Sequence, residues 1–486
     1  MKRSNDARYD LVAIGGGTAG LVATLGVAGM GGRAMLIEAD RTGGDCLWTG
    51  CVPSKALLAA AAAAQSARTA SSFGVDLPEP AVDFARVMRY VHATRKAIEP
   101  HDSPERLAAN GVEVVSGRGR FVAPGQVQVG ERVVRFRAAL VATGSRPMVP
   151  AIEGLASAEP LTSDTVWDLD SLPTRLLVLG GGPIGCELGQ AFARLGSSVT
   201  LVEALGHLLP GEHADVGRAL ADRFAAEGMR VLTGARVVSV AAAGSGSVAT
   251  LDDGRRVEFD RVLVAAGRTP NTSGLGLEDV GVQVGPRGHV LVDDLMATTG
   301  DRIFAAGDVT GLMPFTHVAA NQARLVVTNS MLRTRRRFDS ESIPWAVFTD
   351  PEVARVGIDA SMAELRWPGK AVVQRFDHSK LDRAITHSST EGWVELVADP
   401  KRRLVGATIV GPAAGESIAE IVAWIRQRAR VDDVSSAVHA YPTFSEGPSR
   451  AADEVLRARY FDPKVTRLSS RLLTVLRSID KPRTAG

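Results

Sequence analysis

Gly43-Gly44-Asp45-Cys46-Leu47-Trp48-Thr49-Gly50-Cys51-Val52-Pro53-Ser54-Lys55 holds two of the chain's three cysteines, and the helix-forming run Ala56 to Ala64 follows it. Two thiols can be bridged only if their Cα atoms come within about 7 Å, and five residues of regular helix already rise about 7.5 Å. If Cys46 and Cys51 both sit near a helix start, the backbone between them must be distorted, and Gly50 is best able to take an irregular conformation there. A thiol at a helix N-terminus has a lowered pKa and is more often the reactive thiolate. The stretch therefore reads as a redox pair on a loop running into a helix.

Upstream, Tyr9 to Ile14 is a β-rich run, and Gly15-Gly16-Gly17-Thr18-Ala19-Gly20 fits G-x-G-x-x-G. A helix-length segment, a strand over Arg33 to Ile37 and then Glu38 complete a dinucleotide fingerprint. Gly15, Gly17 and Gly20 allow a tight turn and close approach of a pyrophosphate to the helix N-terminus, and Glu38 is placed for a ribose hydroxyl. The pattern repeats downstream. Arg175 to Leu179 is a strand, Gly180, Gly182 and Gly185 mark a second turn, and Ser198 to Val202 ends in Glu203. Two such units imply two nucleotides, and the redox pair lies just beyond the first. Cys186, inside the helix after the second turn, reads as a small buried apolar residue.

With 486 residues the chain exceeds one ordinary domain. Its 56 basic and 54 acidic residues give a net charge of +2, which gives no reason to expect a nucleic acid or membrane-surface partner. Three cysteines do not make a secreted disulfide scaffold and suit a reducing, cytoplasmic setting. No uninterrupted apolar run approaches the roughly 20 residues of a membrane span, and the basic N-terminus with its short apolar stretch reads as a strand entering a turn.

The string Gly-Gly-x-Cys-x4-Cys-x-Pro-Ser-Lys resembles the redox signature of the class I flavin-dependent pyridine nucleotide-disulfide oxidoreductases, the class of dihydrolipoamide dehydrogenase, glutathione reductase and mercuric reductase. The resemblance runs from about Tyr9 to Tyr460. It implies an α/β fold with two Rossmann-like domains and an α+β dimerisation domain: an FAD domain in residues 1–157 and 274–340, an NAD(P)H domain in 158–273 and an interface domain in 341–486. It makes the first nucleotide FAD and the second NAD(P)H. Glu203 favours NADH, since a carboxylate repels a 2′-phosphate and no arginine lies between Glu203 and Leu209. Electrons would pass from NAD(P)H through FAD to a Cys46–Cys51 disulfide, with Cys51 on the flavin side, Cys46 meeting substrate, and Lys55 paired with Glu187 beside the flavin ring. Gly44 and Lys55 fall in the cofactor-binding part of the string.

Other segments fit the same resemblance. Ala139 to Gly144, with Thr143, and Val262 to Gly267 look like the family's crossings between nucleotide domains. Ile303 to Asp308 looks like the segment whose aspartate, here Asp308, binds the ribityl chain. Phe315-Thr316-His317 looks like the helix start under the flavin ring, with no proton-transfer role for His317. Arg333 to Arg337 reads as a solvated linker, and β-rich runs at Trp345–Phe348, 371–376, Trp393–Ala398 and Leu404–Val410 resemble the interface domain of a homodimer. Val465, Leu468, Leu472 and Val475 form a stripe at helical spacing, whose default reading is a packing or dimer helix and whose alternative is a membrane-surface helix.

The resemblance breaks at His439-Ala440-Tyr441-Pro442-Thr443-Phe444-Ser445-Glu446. Dihydrolipoamide dehydrogenases and glutathione reductases carry histidine five before this glutamate, whereas Tyr441 here matches mercuric reductases; Tyr441 and Glu446 would come from the partner chain. The chain closes Lys481 to Gly486 without a mercuric reductase's cysteine pair, and Asp45, Leu47 and Trp48 depart from the usual string. The expected enzyme is a mercuric reductase-like NAD(P)H-dependent flavoprotein. Its acceptor could be a disulfide, Hg²⁺ or a quinone, with dihydrolipoyl dehydrogenase as the alternative enzyme and a flavin-binding redox sensor as the non-enzyme alternative. No resident metal is expected.

Overall fold

In the computed structural model, which describes residues 8–244 and 246–479, the chain divides into two units at Asp339/Ser340. The first opens with β1 (Tyr9–Ile14), α1 (Thr18–Gly29) and β2 (Ala34–Glu38). Five of the six β1 residues are buried, because helices lie on a parallel sheet and its strands read as continuous apolar runs. α2 (Gly44–Trp48), α3 (Cys51–Thr69), α4 (Phe84–Ile98) and α5 (Pro104–Ala109) follow, then β3 (Val112–Ser116), β4 (Gly119–Ala123), β5 (Gln126–Val129) and β6 (Arg132–Val141). These strands form a sheet in the order β3-β2-β1-β6-β5-β4. The second half of β6 runs parallel to β1, with Val12 opposite Ala139, and its first half pairs antiparallel with β5.

β7 (Ser145–Pro147) leads to β8 (Arg175–Leu179), α6 (Pro183–Leu195), β9 (Ser198–Glu203), α7 (Ala214–Ala226) and β10 (Arg230–Thr233). A three-stranded antiparallel sheet of β11 (Val237–Ala243), β12 (Gly246–Leu251) and β13 (Arg256–Phe259) precedes β14 (Arg261–Val264) and β15 (Arg268–Pro270). β10-β9-β8-β14 is the second parallel sheet. β7 and β15 pair antiparallel as a two-stranded ribbon. The chain then returns through β16 (Ile303–Ala305), which pairs parallel with β6, and α8 (Thr316–Leu332). The unit is thus two nucleotide-type folds stitched by a ribbon.

The second unit is a five-stranded antiparallel sheet, ordered β17-β18-β21-β20-β19. Its strands and helices are β17 (Pro344–Val347), β18 (Val353–Gly357), α9 (Ala360–Arg366), β19 (Val372–Asp377), α10 (Asp382–Thr386), β20 (Trp393–Ala398), β21 (Leu404–Val410), α11 (Ala414–Arg426), α12 (Val431–Ser436), α13 (Glu446–Tyr460) and α14 (Pro463–Ile479). Val356, Val394, Ile409, Ile421, Val434 and Ala451 share its core.

Two expectations change, and the redox pair stands reduced. The helix after the cysteines begins at Cys51 rather than Ala56; Pro53 sits in its first turn, where a missing N–H costs nothing. Cys46 and Cys51 stand as free thiols, the reduced form of a redox pair. One helical stretch among the described residues, Gly44–Phe73, does reach the length and apolarity of a membrane span by composition alone. Its small side chains allow close packing, and α3 lies against α4 and α6, so it is a packed helix of the first unit.

Candidate active site

At the first glycine turn, Gly15 has φ +108°, and a Cβ there would stand 2.3 Å from the Ala142 carbonyl oxygen where β1 and β6 end side by side. A Cβ on Gly20 would meet the Gly15 oxygen at 1.9 Å. Gly17 is the extended N-cap of α1 and offers no side-chain cap, so the first N–H groups of α1 stay available to an anion. Glu38 accepts from the Gly16 N–H and, at 2.7 Å, from the Asp40 N–H. The second turn repeats the arrangement: Gly182 caps α6 without a side chain, and Glu203 accepts from the Gly181 N–H at 2.6 Å and the Leu205 N–H at 2.7 Å.

The redox stretch leaves the first turn directly. Gly43 donates to the Gly16 oxygen at 2.9 Å, and a Cβ on Gly44 would stand 2.6 Å from Gly17 Cα. Close approach of these glycine backbones leaves the face of the α1 start clear, which fits a cofactor pyrophosphate there. α2 carries Cys46, the helix breaks at Thr49-Gly50, and α3 restarts with Cys51 as its first residue. Gly50 donates to Asp45 O, and a Cβ on it would come within 2.9 Å of that oxygen; glycine lets the two helical turns fold onto each other.

The two thiols hydrogen-bond each other. Donation from Cys46 brings the Cys51 pKa down to about 6, aided by the Thr316 hydroxyl and the Lys55 charge and opposed by burial and Glu187. The same bond, then burial, pushes Cys46 far up. The surroundings thus favour the thiolate on Cys51 and the thiol on Cys46. Thr316, first residue of α8, sits 3.4 Å from Cys51 Sγ. Lys55 Nζ lies 2.8 Å from Glu187 Oε2, a bridge from α3 to the nearly buried carboxylate on α6. Cys186 is fully buried and burial raises its pKa.

The ribbon between the two folds is pinned by Thr143 Oγ1 donating to Asn271 O at 2.6 Å and by Asn271 N donating to Gly144 O at 3.0 Å. Gly144 and Gly267 have φ of +65° and +125°, backbone conformations that favour glycine. Asp308 accepts from Ser145 Oγ at 2.8 Å. Arg268 donates to Asp45 Oδ2 at 2.8 Å and to Ser145 Oγ at 2.8 Å. His317 stacks on Phe315. Thr316, Arg268 and Asp45 were missed as site residues by sequence reasoning. Their only signals were that Thr316 opens a helix, that Arg268 follows a strand end, and that Asp45 departs from the usual string.

In the second unit Tyr441 donates its hydroxyl to Asp382 at 2.7 Å, and that bond raises the phenol pKa. Glu446, at the start of α13, is buried; it accepts from the Thr443 N–H and pairs with Arg450 at 3.0 Å. Asp382, Glu446 and Arg450 line one cavity of about 270 Å³. His439 is directed elsewhere, its Nε2 2.9 Å from Glu420 on α11. No group of three or more metal-ligating side chains occurs among the described residues.

The family model of the pyridine nucleotide-disulphide oxidoreductases matches residues 9–323, and the model of that family's dimerisation domain matches 343–452. The chain belongs to this family. It is 36% identical to a mercuric reductase of Streptomyces lividans over 91% of this chain and 95% of that protein. It is 38% identical to dihydrolipoyl dehydrogenase 2 of Haloarcula marismortui, over 91% and 96%. Among solved structures it resembles LpdA of Mycobacterium tuberculosis (TM-score 0.83, 31% identity, 92% of this chain and 99% of that one). It also resembles the Cu(II) complex of the HOCl-induced flavoprotein disulfide reductase RclA of Escherichia coli (TM-score 0.82, 26% identity, 92% and 100%). The chain is an FAD-dependent oxidoreductase that uses NAD(P)H, and it carries the family's dimerisation domain.

Proposed function

We propose that this oxidoreductase reduces a thiophilic metal cation such as Hg²⁺, with NADH as donor, and is a poor dihydrolipoamide dehydrogenase. The bound flavin would supply the step between the nicotinamide hydride and the cysteine pair. Gly15, Gly17, Gly20, Glu38, Gly44, Thr143, Gly144, Asp308 and His317 would hold that flavin nucleotide, and Gly180, Gly182, Gly185, Glu203 and Gly267 the nicotinamide nucleotide. Residues 1–157 with 274–340, and 158–273, are the corresponding domains in this reading, and 341–486 the pairing domain of a homodimer. Cys51 would hold negative charge on the flavin side, Lys55 with Glu187 would set the charge beside it, and Cys46 would meet the acceptor.

Tyr441 carries the choice of acceptor. A base taking thiol protons near neutral pH needs a pKa near the working pH. A phenol titrates near 10, and the bond to Asp382 raises Tyr441 further. It donates and does not accept. His439 is engaged with Glu420. A cation bound by thiolate needs no such base. The mercuric reductase relative supports the cation reading; the Haloarcula relative supports the dehydrogenase alternative, which Tyr441 disfavours.

The test is anaerobic reduction with NADH followed by a screen of Hg²⁺, lipoamide, glutathione disulfide and quinones. Hg²⁺ is expected to turn over fastest; faster lipoamide turnover overturns the reading. Tyr441→His is expected to raise dihydrolipoamide oxidation by up to the roughly 10²–10⁴-fold typical of acid–base groups. High wild-type activity at pH 7, abolished by His439→Ala and kept by Tyr441→Phe, would make His439 the base.

A further inference from the structure

α14 lies beyond residue 452, where the dimerisation-domain match ends. All seventeen of its residues are exposed. At 3.6 residues per turn, Val465, Leu468, Leu472, Val475, Leu476 and Ile479 fall within one arc of about 100°. Leu468 is 70% and Ile479 68% exposed, so the apolar face is uncovered in the single chain. The helix carries Lys464, Arg467, Arg471 and Arg477 and no acidic residue, and none of these cations forms an ion pair among the described residues. Lys464 and Arg471 fall just outside the apolar arc, where long basic side chains reach outward past buried stems.

We propose that α14 is an interfacial helix that docks this protein on an anionic lipid surface. The charge decides the occupant. A second copy of the same helix laid on this face would bring the flanking Lys464 and Arg471 into the contact from both copies, with no carboxylate in the helix to pair them. An anionic bilayer takes up both halves of the pattern: acyl chains receive the leucine face, and headgroup phosphates receive the cations. Basic residues near such a surface add attraction that salt weakens.

The experiment is flotation of the full flavin-loaded chain with vesicles of phosphatidylcholine containing 30% phosphatidylserine, beside vesicles of phosphatidylcholine alone. Binding to the anionic vesicles is expected to be at least about tenfold tighter at 0.1 M salt and to be lost near 1 M. Leu468→Glu with Leu472→Glu should abolish it, leaving flavin content, turnover and the size of the assembly unchanged. Lys464→Gln with Arg471→Gln keeps the apolar face and should erase the anionic preference. The proposal is overturned if wild type does not prefer anionic vesicles, or if both double variants bind as wild type. It is equally overturned if Leu468→Glu with Leu472→Glu splits a dimer, since the face would then be a contact between copies.

Discussion

Gly15 and Gly180 have φ of +108° and +111°. A Cβ on Gly20 and one on Gly185 would each stand 1.9 Å from the carbonyl oxygen of its own unit's first glycine. Glu38 and Glu203 each accept from the middle glycine's N–H and from the N–H two residues ahead. Even the loop beyond each acidic residue returns to the same place: Gly43 donates to Gly16 O at 2.9 Å, and Leu209 to Gly181 O at 2.8 Å. The two units part only after that anchor. In the first the next residues are Gly44 and the cysteine helices; in the second they lead to α7 through a loop with no thiol. Turn geometry that admits a dinucleotide is thus separable from chemistry, which depends on what the anchored loop carries.

The largest effects should come from the one part the units do not share. Cys51→Ser is expected to abolish acceptor turnover and the long-wavelength thiolate–flavin absorption of the two-electron-reduced enzyme, while NADH still reduces the flavin. Cys46→Ser should keep a thiolate band. A band unchanged in Cys51→Ser would show that the wrong sulfur has been placed on the flavin side. In the reduced wild type, that band should grow in as pH rises through about 6, since the folded pKa is lowered from the usual thiol value and the thiolate is lost below it.

The shared turns should fail separately. Gly20→Ala forces a contact no backbone tolerates, with overpacking costs of about 1–3 kcal/mol or more, and should release the flavin. Gly185→Ala makes the same clash and should leave the flavin bound while suppressing its reduction by NADH. Loss of flavin from both variants, measured by absorbance after desalting, would mean the two units do not bind separately.

Smaller effects concern single groups. NADH is expected to reduce the flavin at least about tenfold faster than NADPH, a ratio of about 1.4 kcal/mol, and Glu203→Ser should narrow the gap. Faster reduction by NADPH in stopped flow would sink this assignment. The smallest effect is Thr316→Val. Removing a donor to the thiolate should raise the band's midpoint by about one pH unit, the low end of the roughly 1.5–3 kcal/mol for a hydrogen bond to a charged group, because the contact to sulfur is 3.4 Å long. An unmoved midpoint would leave Thr316 without a role at the sulfur.

Local patterns made much of this legible in the chain alone. Glycine spacing, an acidic residue closing the second strand, and paired cysteines before Pro-Ser-Lys each constrain neighbours within about 30 residues. Backbone sterics and helix geometry act over that range, so both nucleotide folds, the broken helix at Gly50 and the family could be read from them. What required tertiary structure is separated far along the chain. Thr316 meets Cys51 from 265 residues away and Arg268 meets Asp45 across 223, while the Lys55–Glu187 pair, 132 apart, was reached only through the family resemblance. His439 and Tyr441 stand two apart in the chain, but their partners, Glu420 on α11 and Asp382 on α10, lie far from them in sequence. Which thiol carries the charge was likewise decided by partners brought together in folding, because a pKa follows the hydrogen bonds, charges and burial around a group, and only the fold brings these together.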